Sequence, residues 1–159
     1  MSPEGSTITF RRVPTILRRQ LEGPLQRFLS TLEIEVAAGS PFDCLVTTDA
    51  ELRRLNRAFR GKDAVTDVLS FRAGPFLNSR SCERDDALGD LAISLARARA
   101  QARQFGHRLE DEIRILMLHG LLHLLGMDHE IDRGRMARAE SRWRVRLGLP
   151  RGLIERVAS

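Results

Sequence analysis

Three histidines cluster in the second half of the chain, although the whole sequence contains only four. Residues four apart lie on one face of a helix, so His119 and His123 can direct both imidazoles at one point. Gly126 suits the left-handed position that ends a helix, after which the chain can bring His129 back to the same point. Three neutral imidazoles with water in a fourth, open position describe a catalytic zinc site. The spacing therefore predicts one Zn²⁺ ion held by three histidines and water, although imidazole ligands also suit nickel, copper and iron.

The residue after the first histidine limits the chemistry of such a site. The spacing His-x3-His-x2-Gly-x2-His is that of the long zinc-protease motif, in which Glu follows the first histidine as general base. Here that residue is Gly120, so the sequence favours a metal site but not peptide hydrolysis by the usual route. A closed, structural site would need a fourth protein ligand, and Cys44 and Cys82 lie far upstream without paired spacing. Asp128 is another candidate ligand, but it adjoins His129, which makes simultaneous coordination awkward.

Composition indicates a soluble globular protein, with 42% hydrophobic and 30% charged residues. Its 159 residues predict a single domain over residues 1–159. No apolar run is long enough to span a membrane, the N-terminus lacks a secretory pattern, and two cysteines without motif spacing fit a reducing compartment. We therefore expect a cytoplasmic protein without a membrane partner.

The net charge of +5 favours a nucleic-acid partner. Lys62 is the sole lysine, so almost all of the positive charge comes from arginine, and a GC-rich genome that favours arginine codons would also explain this composition.

Hydrophobic periodicity predicts an ordered series of strands and helices. The predicted strands cover residues 7–12, 42–47, 65–71 and 88–95. The predicted helices cover residues 14–32 (interrupted or kinked at Gly23-Pro24), 48–59, 95–104, 109–125 and 132–147. The simplest arrangement is a central sheet with the histidine-bearing helix packed against one face. The order of the strands cannot be derived from these patterns.

The chain also resembles a known family at three separate blocks. Residues 119–129 resemble the His-Gly-x-Leu-His-Leu-x-Gly-x-Asp-His signature of the YbeY family, the bacterial rRNA maturation endoribonucleases. Residues 55–71, with Asn56, Arg60 and Asp67, form a second block, and residues 89–94 form a third. The blocks fall in family order, and the similarity runs from about residue 45 to residue 148.

The resemblance implies an α+β, zincin-like single domain with about four strands and a central metal-bearing helix. It implies a zinc-dependent endoribonuclease that acts on single-stranded RNA, in small-subunit (16S) rRNA maturation and ribosome quality control, with the ribosome or its small-subunit proteins as partners. It also implies that the three histidines hold the metal and that Arg60 faces the cleft. The chain departs from the family at Met127, at Ala64-Val65 and at Arg72, positions near the expected substrate groove.

Roles for the remaining polar residues stay open at this point. Arg60 can clamp a phosphate bidentately, or it can be a surface arginine at a helix end. Asp128 can take a proton or orient a ligand, or its carboxylate can cap the turn after Gly126. Asp67 and Ser70 are candidates to support the histidines or to line the substrate groove, with local hydrogen bonding as the alternative.

Three rival functions also remain. The protein can be a ribosome-binding assembly factor whose catalysis is weak, a metal-dependent hydrolase of another substrate, or a structural zinc protein. For the endoribonuclease, either water or the RNA 2′-hydroxyl can attack phosphorus.

Overall fold

The computed structural model describes residues 5–72, 86–128, 131–152 and 154. Most of the predicted irregular stretch at 74–87, Cys82 and His129 lie outside these residues. In chain order the elements are β1 (Ile8–Phe10), α1 (Thr15–Glu35), β2 (Phe42–Thr47), α2 (Asp49–Arg60), β3 (Val68–Phe71), β4 (Gly89–Ser94), α3 (Leu95–Phe105), α4 (Leu109–Leu124) and α5 (Arg135–Leu147).

The four strands form one mixed sheet in the order β1-β2-β4-β3. Strands β1, β2 and β4 are parallel, with Phe42 opposite Gly89, whereas β3 is antiparallel to β4, with Val68 opposite Ile93. A parallel sheet with one antiparallel edge strand and helices on its faces confirms the predicted α+β class and the predicted number of strands.

Helices cover both faces of this sheet because strand residues alternate between the two sides. On β4, Leu91 and Ile93 belong to the larger hydrophobic cluster, to which α1 and α4 also contribute. The intervening Ala92 belongs to a smaller cluster with Leu52 and Leu55 of α2. Helices α1 and α4 therefore lie on one face and α2 on the other.

Helix α4 is the most buried helix of the fold, with 11 of its 16 residues buried. It packs against β3 and β4 and also against α1, α3 and α5. Its first turn carries Glu110, Asp111 and Glu112, whose negative charges favour the N-terminal end of a helix. This arrangement confirms that the histidine-bearing helix packs on the sheet, at the centre of the fold.

Helix α1 differs from the prediction, because it is one continuous helix of 21 residues that contains Pro24. The residue before a proline is normally driven out of the helical region by a clash between its Cβ and the proline ring. Gly23 has no Cβ, so this clash is absent. Leu21 and Leu25, on either side of the proline, are both buried in the core, and this burial holds the helix together where local signals predicted a break.

Two element starts also differ from the prediction. Strand β3 begins at Val68 rather than at 65. At this observed start, the Asp67 carboxylate accepts the Val68 N–H at 2.8 Å. Helix α5 begins at Arg135 rather than at 132, because Gly134 has a left-handed φ of 84°. The Asp132 carboxylate then accepts the Met136 N–H at 2.8 Å, so Asp132 caps the helix from outside it.

No helix within the described ranges is both long and apolar enough to cross a membrane.

Candidate metal centre and nucleic-acid cleft

Helix α4 brings the imidazoles of His119 and His123 together at its C-terminal end. Their ring centroids are 4.9 Å apart, and the two Nε2 atoms are separated by 3.2 Å. With zinc–nitrogen bonds of about 2.0–2.1 Å, two ligands of a tetrahedral ion are separated by about 3.3–3.4 Å. The two nitrogens are therefore spaced as two ligands of one zinc ion, and the donor set fits the predicted metal.

The helix ends immediately after the second histidine, in the turn that the sequence predicted. Gly126 has a φ of 94°, and its N–H donates to the His123 carbonyl at 2.9 Å. The Met127 N–H donates to the Leu122 carbonyl at 3.1 Å, which completes a Schellman motif. This left-handed turn reverses the chain just ahead of Asp128.

The third predicted ligand, His129, lies outside the described residues. Among the residues the structure does describe, no three His, Cys, Asp or Glu side chains form a group that would hold a metal. The complete ligand set of His119, His123 and His129 therefore stays a prediction.

A buried carboxylate from α5 contacts the first histidine. Oε2 of Glu140 lies 2.7 Å from Nδ1 of His119, and Glu140 is only 1% exposed. A carboxylate can only accept a hydrogen bond, so the contact favours a proton on Nδ1, and in the neutral ring Nε2 then keeps its lone pair. We expected support for the histidines from Asp67 or Ser70, and the residue that contacts His119 is Glu140. The available signal was a charged residue beside Met136 and Ala139 on the buried face of α5.

Gly120 occupies the position of the protease glutamate, and the fold leaves no room there for a side chain. A Cβ on Gly120 would lie 2.8 Å from Cδ2 of Leu91 on β4 and 3.2 Å from Oγ of Ser70 on β3. The Ser70 hydroxyl donates to the Gly120 carbonyl at 2.9 Å. Close contact between α4 and the sheet therefore excludes a glutamate base at this position, and Ser70 joins helix to sheet.

A cleft of about 620 Å³ opens beside the histidine pair. Its lining includes six of the residues that the sequence singled out for chemistry, namely Arg60, Asp67, Ser70, His119, His123 and Asp128. Two further cations, Lys62 and Arg72, also line it. Sequence reasoning assigned neither of them a binding role, although Arg72 had been noted as a departure from the family pattern. The cleft therefore combines two imidazoles with three cationic side chains and the carboxylates of Asp67 and Asp128.

Local structure at the end of α2 directs Arg60 toward this cleft. The helix begins with a side-chain cap, in which Thr48 Oγ1 accepts the Glu51 N–H at 3.2 Å. It ends at Arg60 because Gly61 adopts a left-handed φ of 67°. Buried Asn56 then fixes the following loop by donating to the Ala64 carbonyl at 3.0 Å.

The two acidic candidates, Asp67 and Asp128, differ in the hydrogen bonds that they accept. The Asp67 carboxylate accepts from the Val68 N–H at 2.8 Å and from Nε2 of Gln101 at 3.1 Å, which is the local role left open above. Asp128 lines the cleft, and its backbone carbonyl accepts the Ile131 N–H at 3.2 Å. Its catalytic role stays a prediction.

Two other chemically capable residues lie away from the cleft lining. His107 Nε2 is 2.5 Å from Oε1 of buried Glu112 at the start of α4. Burial and the nearby Asp43 and Asp90 carboxylates raise the pKa of the Cys44 thiol, which makes Cys44 a poor thiolate ligand.

Known proteins resemble this chain over most of its length. Residues 9–147 match the family described as Endoribonuclease YbeY. The chain is 64% identical over 158 residues to Endoribonuclease YbeY of Solibacter usitatus, covering 99% of both chains. It is 46% identical over 145 residues to Endoribonuclease YbeY of Koribacter versatilis, covering 89% of this chain and 90% of that one.

A solution structure of a Thermotoga maritima protein shares the fold, with a TM-score of 0.52 at 23% identity over 87% of this chain and 85% of that one. The matched family residues span the sheet, the histidine helix and the cleft, and the relatives align over nearly the full chain. The chain therefore belongs to the endoribonuclease YbeY family.

Proposed function

We propose that this protein is a zinc-dependent endoribonuclease that cleaves single-stranded RNA and acts in small-subunit rRNA maturation. The observation that carries the proposal is the 3.2 Å separation of the His119 and His123 Nε2 atoms inside a cleft that Arg60 also lines. The family relatives carry the name endoribonuclease, which fits a cationic cleft beside a metal centre.

His119, His123 and His129 would hold the ion. A zinc ion there would acidify water and act as a Lewis acid toward a phosphoryl oxygen. Arg60 binds the phosphate with its planar guanidinium, whose fork of N–H donors matches two phosphate oxygens. Lys62 and Arg72 extend the positive charge along the cleft and hold the neighbouring phosphates of the strand.

The recessed position of the histidines favours a single strand. His119 is 7% exposed, so the scissile phosphate must enter the cleft to reach its ring. A flexible strand can bend its backbone inward, whereas the phosphates of an A-form duplex are fixed along rigid ridges. Asp128, which lines the cleft, would accept a proton from the attacking hydroxyl or water.

The first experiment compares metal content and RNA cleavage. Elemental analysis of purified wild-type protein should find about one zinc ion per chain, as a three-histidine site predicts. Chelation should abolish cleavage of a single-stranded RNA, and added zinc should restore it. His123→Ala should lose metal and cleavage together. Undiminished cleavage by His123→Ala would refute the proposal, and full metal content without RNA cleavage would favour the assembly-factor alternative.

The second experiment uses the same RNA sequence as a single strand, as a duplex and as DNA. We expect cleavage of the single-stranded RNA to exceed that of the duplex. Cyclic phosphate ends would assign the attack to the 2′-hydroxyl, and 5′-phosphate ends would assign it to water. Equal cleavage of strand and duplex would refute the single-strand preference.

Arg60 can be tested against a neighbour on the same helix. Arg60→Ala should lower kcat by about 100-fold or more, since it removes a group aimed at transition-state charge. Arg57→Ala is the matched control, because Arg57 is exposed on α2 but does not line the cleft. Equal losses in the two variants would exclude a specific role for Arg60.

A further inference from the structure

Glu140 is a charged side chain in a place where charge is costly. It lies on α5 among buried residues and is 1% exposed. An ionised carboxylate withdrawn from water is tolerated only when donors compensate for the lost hydration. The His119 ring contacts its Oε2 at 2.7 Å, and the Ile154 N–H donates to its Oε1 at 2.9 Å. Each carboxylate oxygen therefore has a nitrogen partner, one in α4 and one near the C-terminus.

The contact with His119 determines which ring nitrogen faces the cleft. In the neutral ring, a proton on Nδ1 toward Glu140 leaves the lone pair on Nε2, the atom that lies 3.2 Å from Nε2 of His123. An unprotonated nitrogen is what a metal ion requires of an imidazole ligand. The carboxylate also restricts the rotation of the ring, because Nδ1 contacts Glu140 while Nε2 contacts His123.

The segment after α5 holds the carboxylate from its other side. A Cβ on Gly152 would lie 2.7 Å from Cδ and 2.9 Å from Cγ of Glu140, closer than real side chains approach. Gly152 therefore provides the space in which the carboxylate sits, and the Ile154 N–H follows two residues later. Leu149, 6% exposed, anchors the start of this segment in the core.

From these contacts we infer that Glu140 is a positioning residue for the histidine site and that Gly152 and Ile154 hold it in place. Glu140 sets the tautomer and orientation of His119, and the C-terminal segment sets the position of Glu140. The metal-binding part of this inference rests on the proposed function, whereas the tautomer does not. Residues that contact no substrate therefore determine how well the site binds its ion.

The test compares Glu140→Ala and Glu140→Gln with Glu112→Gln. Glu112 is the matched control, because it is a second fully buried glutamate paired with a histidine, His107, away from the cleft. Zinc affinity is measured by competition with a chromophoric chelator. Loss of a carboxylate partner of a ligating histidine weakens binding by about 10–100-fold, which we expect for Glu140→Ala. Glu140→Gln retains an acceptor oxygen and should weaken binding less, and Glu112→Gln should leave it unchanged.

A second measurement uses the metal-free protein and therefore does not depend on metal binding. Nitrogen-15 NMR of the imidazoles in mildly alkaline buffer should show His119 protonated at Nδ1 in the wild type. This preference should diminish in Glu140→Ala. A His119 protonated at Nε2 in the wild type would overturn the inference. So would a loss of zinc affinity in Glu140→Ala no larger than that in Glu112→Gln.

Gly152→Ala tests the C-terminal segment without changing the carboxylate, and it serves if Glu140→Ala does not fold. The added methyl displaces Glu140, so zinc affinity should fall while His119 and His123 remain in place. Gly148→Ala is its control, since Gly148 has a φ of 71° but nothing within 4 Å of an added Cβ. That variant should lose stability from backbone strain and keep its zinc affinity. Equal zinc affinities in the two variants would refute the role of Gly152.

The outcomes separate this inference from the proposed function. Wild-type protein that binds no zinc and cleaves no RNA, but shows His119 protonated at Nδ1, would refute the proposed function and support the role of Glu140. Wild-type protein that binds zinc and cleaves RNA, with affinity unaffected in Glu140→Ala, would refute the role of Glu140 alone.

Discussion

Gly120 should be intolerant of even one added carbon because α4 lies against the sheet there. In Gly120→Ala the new Cβ would lie 2.8 Å from Cδ2 and 3.2 Å from Cδ1 of Leu91, a fully buried residue. Overpacking of a core by a methyl group costs about 1–3 kcal/mol. Replacing a helical glycine by alanine returns about 1 kcal/mol. We therefore expect a net loss of about 0–2 kcal/mol in the free energy of unfolding.

The net loss alone is a weak test, so the prediction is best examined by a double-mutant cycle with Leu91→Val. Valine lacks both Cδ atoms, so the clash with residue 91 disappears while the 3.2 Å approach to Ser70 Oγ remains, and the single change should cost about 1 kcal/mol. In the Leu91→Val background, Gly120→Ala should therefore become stabilising by up to about 1 kcal/mol. The coupling between the two changes should equal the part of the overpacking energy that comes from Leu91, up to about 3 kcal/mol.

Urea denaturation of the four proteins, followed by circular dichroism, measures each free energy of unfolding. Additive effects within about 0.5 kcal/mol would refute the reasoning, since they would mean that Leu91 does not exclude a side chain at position 120. The result bears on function, because the same contact excludes the glutamate base of a zinc peptidase.

Three further predictions concern stability and reactivity. Thr48→Ala removes the cap of α2 and should cost about 1 kcal/mol in urea denaturation. Cys44 should resist iodoacetamide in a folded Cys82→Ser protein and react in urea, because burial raises the pKa of its thiol. A hydrogen bond from Arg54 lowers the pKa of Glu51, so this pair stabilises the fold above the unfolded pKa of about 4.3 and loses its effect as the pH falls through the folded pKa. Arg54→Ala should therefore cost up to about 1 kcal/mol at neutral pH and nothing in acid, measured by denaturation across that range.

Features that depend on neighbouring residues could be predicted from the sequence. The Thr48 cap, the end of α4 at Gly126 and the shared face of His119 and His123 all follow from contacts within four or five residues. Such contacts depend on helix geometry, which the residue types along a short stretch largely determine. For this reason the predicted bounds of α4, 109–125, differ from the observed Leu109–Leu124 by a single residue.

Features that depend on distant residues were decided by the tertiary structure. Pro24 lies within a continuous helix because the buried leucines on α1 outweigh a local signal for a break. The antiparallel placement of β3 follows from strand pairing, to which periodicity is insensitive.

Some features of the site likewise follow from neighbouring residues, and others follow from contacts between distant elements. The spacing of its histidines determined where a metal ion could bind, because both lie on one turn of one helix. Packing decided the rest: the sheet beneath Gly120 removed the place for a glutamate base, and α5 brought Glu140 to the His119 ring from 21 residues away. No local pattern encodes either contact, since each depends on two elements that meet only when the core forms.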